Sequence, residues 1–210
     1  MGDSTNIPSK LNNFVTDISY SLKIGKDIEF VFGGSYLHGS AYCIEFPVIH
    51  FEPCKENNPS WTGYGRLLVK DRIIIKGGFA KTVNVWPGTH NPTYPLDLFE
   101  ASTVSSKDVG VKYTFKSNSE TNHSLSAEFS DFVAGPSDAP WERQNQIVIG
   151  YSAFIKNSSK LFLELFRTNG YVPLNWISGS DPFEPFPPGE THSVRDAFSY
   201  GIVIGSQITF

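Results

Sequence analysis

Glu164 has the surroundings that most favour acid–base chemistry in this sequence. It lies in Leu161–Arg167 (LFLELFR), a run with strand-like alternation. Successive side chains of a β-strand point to opposite faces, so Phe162 and Phe166 share the face of Glu164. A carboxylate buried among aromatic rings has a raised pKa, which suits a proton donor or a base. The alternative is an edge strand whose second face is in water.

The partner of this strand is Gln146–Ile155 (QIVIGYSAFI), which a short polar turn joins to it. Opposed residues share a face, so the alternation requires a loop with an odd number of residues and places Glu164 opposite Gly150 or Ser152. Both residues are small, and a cavity is therefore predicted beside Glu164. The pattern predicts four ligand-binding residues on this face: Ser152, Phe154, Phe162 and Phe166. The opposite face is predicted to be the main core, with Ile149, Tyr151, Leu163 and Leu165.

Two histidines follow Pro-Gly turns and are the other candidates for catalysis. His90 follows Pro87-Gly88, and His192 comes three residues after Gly189. A loop histidine held by a carboxylate can act as a general base, since its unperturbed pKa is about 6.5. We predict a catalytic set of Glu164, His90 and His192. The alternative for each histidine is an exposed loop residue beside solvated charges.

Aromatic residues near the predicted strand–loop boundaries complete the candidate site. Trp86, Tyr94 and Trp176 are predicted to bind ligand by stacking on a sugar or a planar metabolite. Their alternative role is to cap a core.

Motifs that would identify a cofactor are absent from the sequence. It has no GxGxxG, P-loop, GxSxG, HExxH or calcium-loop pattern. We therefore expect no cofactor and no metal. The net charge of −4 without a basic cluster argues against nucleic acid as a partner.

A membrane partner is also not expected from the sequence. No secretory leader or bilayer-length apolar run is recognisable. The final strand ends in Phe210 with partial alternation, as outer-membrane strands do, but Ser206 interrupts its apolar face and 14 prolines crowd the turns. Cys43 and Cys54 are separated by a strand-like run and are expected to be free thiols. These features together predict a cytoplasmic protein.

The elements that would position these residues are short alternating strands. Roughly eleven or twelve such strands are recognisable, with almost no helical periodicity, so the class is all-β. They include Val15–Ile24 and Ala41–Phe51, and the pairs Gly33-Gly34 and Gly77-Gly78 are predicted to follow strand ends. An antiparallel β-barrel and a β-sandwich are both compatible with this spacing. Residues 1–13 are predicted to be an N-terminal arm and residues 14–210 a single β domain. Similar Gly and Trp landmarks, and a Pro-Gly turn followed by a histidine in each half, also allow an internal duplication, 14–105 and 109–210.

Three functions remain open at this point. The first is a β protein that binds a small, largely apolar or aromatic metabolite in an aromatic-walled pocket. If catalytic, it would be a cofactor-independent isomerase, cyclase or lyase, and a homodimer is compatible with it. The second is a non-catalytic, lectin-like sandwich that binds a glycan. The third is a structural jelly roll, such as a coat subunit, whose aromatic faces pack against neighbours.

Overall fold

The fold is a single antiparallel sheet of long strands. The computed structural model describes residues 14–39, 58–86, 89–90, 96–117, 121–155, 159–170 and 198–208. Its strands are β1 (Val15–Ile24), β2 (Ile28–Leu37), β3 (Ser60–Val69), β4 (Ile73–Thr82), β5 (Ser105–Lys116), β6 (Thr121–Val133), β7 (Arg143–Ile155), β8 (Ser159–Gly170) and β9 (Phe198–Ile208). A short 3₁₀ turn, Leu96–Leu98, lies between β4 and β5.

Each strand pairs with the next one along the chain, in the order β1 to β9. The all-β prediction is therefore confirmed. In the described ranges the sheet is neither closed into a barrel nor paired with a second sheet, since β1 pairs only with β2 and β9 only with β8. The sheet is open, and the expected barrel or sandwich is not what these residues form.

The strand count differs from the expected eleven or twelve partly because of glycine pairs. Gly77-Gly78 was expected to end a strand, as was Gly33-Gly34, but β4 and β2 run through them. A Cβ at Gly77 would lie 3.0 Å from the carbonyl oxygen of Asp108, and one at Gly33 would lie 2.6 Å from the Tyr64 hydroxyl. These glycines thus admit neighbouring groups within a continuous strand. The expected strand at 41–51 lies outside the described residues.

Alternation gives the sheet two chemically different faces. We call the face of Ile18, Ile75, Ile149 and Ile202 the apolar face, and the face of Glu164 the polar face. The polar face carries eleven charged side chains: Asp17, Lys23, Glu29, Arg66, Lys76, Asp108, Lys112, Lys116, Glu128, Lys160 and Glu164. The apolar face continues across all nine strands.

The apolar face is exposed, which corrects its assignment as the main core. Ile149 is 56% exposed, and Tyr151 and Leu165 are also exposed. Of the large exposed apolar side chains in the strands, all but Val15, Tyr64 and Val203 lie on this face. Within the described ranges no second layer covers this face, so correct alternation did not produce burial.

The buried apolar side chains lie in the connections instead. Connections of three or four residues alternate with connections of nine or more, so one end of the sheet is the short-turn end and the other the long-loop end. At the long-loop end, Asn58, Val104 and Ala139 are buried. Asn58 accepts a hydrogen bond from the Asn84 amide at 3.1 Å and donates to the Asn84 carbonyl at 3.3 Å. In the described part of the chain, no helix is long and apolar enough to cross a membrane.

Candidate functional site

The hairpin of β7 and β8 has one of the two predicted registers. Ile155 pairs with Ser159, which leaves an odd loop of residues 156–158. Glu164 pairs with Gly150, and Phe162 with Ser152. The predicted face shared by Glu164, Phe162 and Phe166 is therefore confirmed.

A cavity of about 480 Å³ lies next to Glu164 on the polar face. Its lining comes from five consecutive strands, β4 to β8. The residues are Ile74, Lys76, Gly110, Val111, Lys112, Ser126, Ala127, Glu128, Val148 and Glu164. Side chains that start as far as four strand intervals apart thus line one open depression on the polar face.

The walls of this cavity are charged, and the aromatic rings lie elsewhere. A Cβ at Gly201 would lie 2.0 Å from the Phe166 ring, and one at Gly205 would lie 2.3 Å from the Phe162 ring. Both rings therefore cover β9 glycines. The Phe154 ring lies 5.7 Å from the Lys112 ammonium and 5.5 Å from that of Lys160. Glu164 itself is exposed, so its carboxylate is not buried among aromatic rings as expected.

The Ser152 hydroxyl is already used within the sheet. Ser152 is buried and lies 2.7 Å from the Ser124 hydroxyl on β6. The pair satisfies two polar groups that would otherwise be buried without partners. Ser152 therefore contributes to the packing between β6 and β7, and it is not among the residues that line the cavity.

His90 lies far from Glu164. In the register, Ile74 shares the row of Glu164, and β4 continues to Thr82 before the loop of His90 begins. These eight residues span about 26 Å at about 3.3 Å each. The His90 Nδ1 donates to the Phe99 carbonyl oxygen at 2.7 Å. The two predicted catalytic residues are therefore not brought together.

The loop around His90 is packed by backbone-directed hydrogen bonds. Trp86 forms a bridge to Ser102, and the Thr89 hydroxyl donates to the Trp86 carbonyl at 2.7 Å. Trp141 donates from Nε1 to the Thr89 carbonyl at 2.8 Å. These contacts give Trp86 and His90 a structural role in the loops. Tyr94, Trp176 and His192 lie outside the described residues.

The sequence did not single out a second charged cluster, which lies on the apolar face. Asp131 has a side chain only 3% exposed, and it pairs with Arg143 and, at 3.4 Å, with Lys107. The hydrogen bond from Arg143 to this carboxylate raises the pKa of the guanidinium. We call Lys81, Lys107, Asp131, Arg143 and Arg167 the charged rim; they are the charged strand residues of the apolar face. All five lie toward the long-loop end.

Another cross-strand contact lies on the polar face near β1. The Tyr64 hydroxyl reaches across Gly33 and donates to the Asp17 carboxylate, at 2.9 Å from Oδ1. This hydrogen bond is the main reason why the pKa of Tyr64 is raised. Glycine at position 33 leaves the space that the phenol occupies.

Neither a metal site nor a relative identifies the chain. Among the residues with described positions, His, Cys, Asp and Glu side chains form no group of three that could hold a metal ion. No protein-family model, no curated protein and no solved structure matches the chain.

Proposed function

We propose that this protein is a membrane protein whose apolar face contacts the acyl chains of a lipid bilayer. The observation that carries the proposal is the exposed apolar surface across nine strands, with Ile18 80% and Ile204 77% exposed. Apolar patches on water-soluble monomers rarely exceed about 300–600 Å². This proposal departs from the sequence-based expectation of a protein without a membrane partner.

The strand lengths favour a bilayer over an ordinary protein core. The nine strands have 10 to 13 residues each. Strands in globular proteins most often have about 5–6 residues, whereas about 9–11 tilted residues cross a bilayer. Every strand is thus long enough to span the hydrocarbon layer, where the outer edges of β1 and β9 would also have to pair with further strands.

The charged residues of the apolar face bound its apolar band at one end. Each of β4 to β8 carries one such residue toward the long-loop end: Lys81 and Arg143 share one row of the register, Lys107 and Asp131 lie one row further in, and Arg167 lies two rows further in. Charges confined to one end of an apolar band fit a face that meets a membrane surface there.

The height of the apolar band is also close to that of known membrane-spanning strands. On β7 the apolar face runs from Ile147 to Ile155, about 26 Å along the strand, or about 22 Å of height at the tilt of about 35° that is usual for strands in bilayers. Apolar bands of membrane-spanning strands are about 25 Å tall. Aromatic residues with polar groups lie toward both ends, including Trp61 at the long-loop end and His123, bonded to Tyr151 at 2.7 Å, at the short-turn end. Such residues favour the membrane–water interface.

Nitroxide accessibility in phosphatidylcholine vesicles tests the proposal. Labels would be placed at Ile149→Cys on the apolar face and Val148→Cys on the polar face, in a chain carrying Cys43→Ser and Cys54→Ser. We expect the label at 149 to be open to oxygen and closed to a water-soluble nickel chelate. The matched label at 148 should meet the nickel chelate.

Other coverings of the same face would give different results. A second copy or another segment of the chain packed on the apolar face would shield the label at 149 from both reagents. A face in water would admit the nickel chelate to both labels. Either result would overturn the proposal. The metabolite pocket, its catalytic version, the glycan-binding alternative and the cytoplasmic location stay predictions.

A further inference from the structure

The cavity on the polar face is built from two adjacent rows of the register. One row contains Lys76, Gly110, Glu128 and Val148 on β4 to β7. The next row contains Ile74, Lys112, Ser126, Gly150 and Glu164 on β4 to β8. Charged side chains thus alternate with very small ones, and the small residues form the floor of the cavity.

The floor has little room for larger residues. A Cβ at Gly110 would lie 3.3 Å from both Glu128 Oε2 and Lys76 Cε. One at Gly150 would lie 2.5 Å from the Ser126 hydroxyl and 3.6 Å from Glu164 Cγ. Neighbouring side chains therefore lie directly over both glycines, and a larger residue at either position would displace them. The volume of the cavity, about 480 Å³, is within the range of about 300–1,000 Å³ for small-molecule sites.

The four charges of the cavity are not equivalent. Lys76 and Glu128 neutralise each other through an ion pair of 3.1 Å. Glu164 forms no ion pair with any described residue, and Lys112 lies over the Phe154 ring. Lys112 and Glu164 start three strand intervals apart in one row, about 14 Å at about 4.8 Å per interval. An ammonium and a carboxylate therefore face one cavity from opposite sides.

We propose that this cavity binds a small, elongated zwitterion. Its anionic group would contact Lys112, and its cationic group would contact Glu164. The paired Lys76 and Glu128 form a wall without net charge, while Ile74 and Val148 contact the apolar chain between the two ligand charges. The inference does not rest on lipid contact, since binding is measured on the polar face whatever covers the other one.

Titration calorimetry at low salt with ε-aminocaproate as the probe tests this site. The protein would be kept in a nonionic detergent, and caproate, hexylamine and glycine would be the comparison ligands. Because each terminal charge gains its own partner, we expect ε-aminocaproate to bind at least tenfold more tightly than either singly charged analogue. Glycine is too short to reach both partners and should bind at least tenfold more weakly.

Variants assign each end of the ligand to its residue. Glu164→Gln should weaken ε-aminocaproate at least tenfold and leave caproate unchanged, whereas Lys112→Gln should weaken both. Lys23→Gln is the matched control, since it removes a polar-face charge on β1, away from the cavity. The proposal is overturned if ε-aminocaproate does not bind, if it binds no better than caproate, or if Lys23→Gln has the same effect as the cavity variants. Circular dichroism of each variant establishes that it is folded.

Discussion

A lysine in the middle of the apolar face is the most direct energetic test of what that face contacts. Ile149 is 56% exposed and lies four residues from Asn145, at the level of the charged rim on the same strand. Four residues cover about 13 Å along the strand, or about 11 Å of depth at a 35° tilt. This is close to the centre of an apolar band about 25 Å tall.

The two environments predict different costs for Ile149→Lys. A lysine at the midplane of a lipid-facing strand costs about 2–4 kcal/mol, falling to about 0–1 kcal/mol near the interface. A substitution at an exposed position in water usually changes stability by less than about 0.5 kcal/mol. In lipid, we therefore expect a loss of about 2–4 kcal/mol in the free energy of unfolding.

Asn145→Lys is the matched control, because it adds the same side chain to the same strand and face at the rim. We expect it to cost less than about 1 kcal/mol, since the charge can reach the interface and lies beside Asp131. Reversible denaturant unfolding in phosphatidylcholine vesicles, followed by tryptophan fluorescence, measures both losses. Equal losses for the two variants, or a loss below about 0.5 kcal/mol for Ile149→Lys, would refute the lipid assignment.

Two further predictions concern the charged rim and the Tyr64 contact. Asp131→Asn should lower the free energy of unfolding by about 2 kcal/mol, because it leaves Arg143 and Lys107 without their shared carboxylate. Asp108→Asn, at an exposed position, should change the free energy of unfolding by less than about 0.5 kcal/mol. Equal losses for the two variants in denaturant melts would contradict the prediction. The Tyr64 phenol should ionise above its ordinary pKa of 10.0, because its ionisation breaks the hydrogen bond to Asp17. Because the folded pKa is raised, the stabilisation is complete below about pH 10 and is lost as the pH rises through the folded pKa. Melts of the wild type and of Tyr64→Phe should therefore differ below pH 10 and converge above the raised pKa, and a constant difference would contradict the assignment.

Alternation was sufficient to predict local geometry. The parity of side chains in β7 and β8 required an odd loop and placed Glu164 opposite Gly150 or Ser152, and the register has Gly150. This succeeded because opposed residues of paired strands must share a face, whatever lies beyond the sheet. The predicted bounds of β1, Val15–Ile24, also agree with the structure.

The site beyond that hairpin could not be predicted from one pair of strands. Lys76 and Lys112 reach the cavity because β4 and β5 are aligned with β7 and β8 across the sheet, which requires the register of every intervening pair. The prediction that Gly-Gly pairs end strands was wrong for a related reason. Their role depends on what the neighbouring strand places above them, such as the Tyr64 ring over Gly33.

The misassigned core follows from a degeneracy in the pattern itself. Ile147, Ile149 and Tyr151 on one face, with small and polar residues on the other, satisfy equally a strand that packs on a second layer and one that faces lipid. Alternation measures the difference between the two faces and carries no information about what covers the apolar one. The position of the charges along the strands adds that information: on β4 to β8 they all lie within two rows of one another at the long-loop end, from Lys81 to Arg167. This common end becomes visible only when the strands are in register, so the sheet, and not the sequence alone, favours a bilayer.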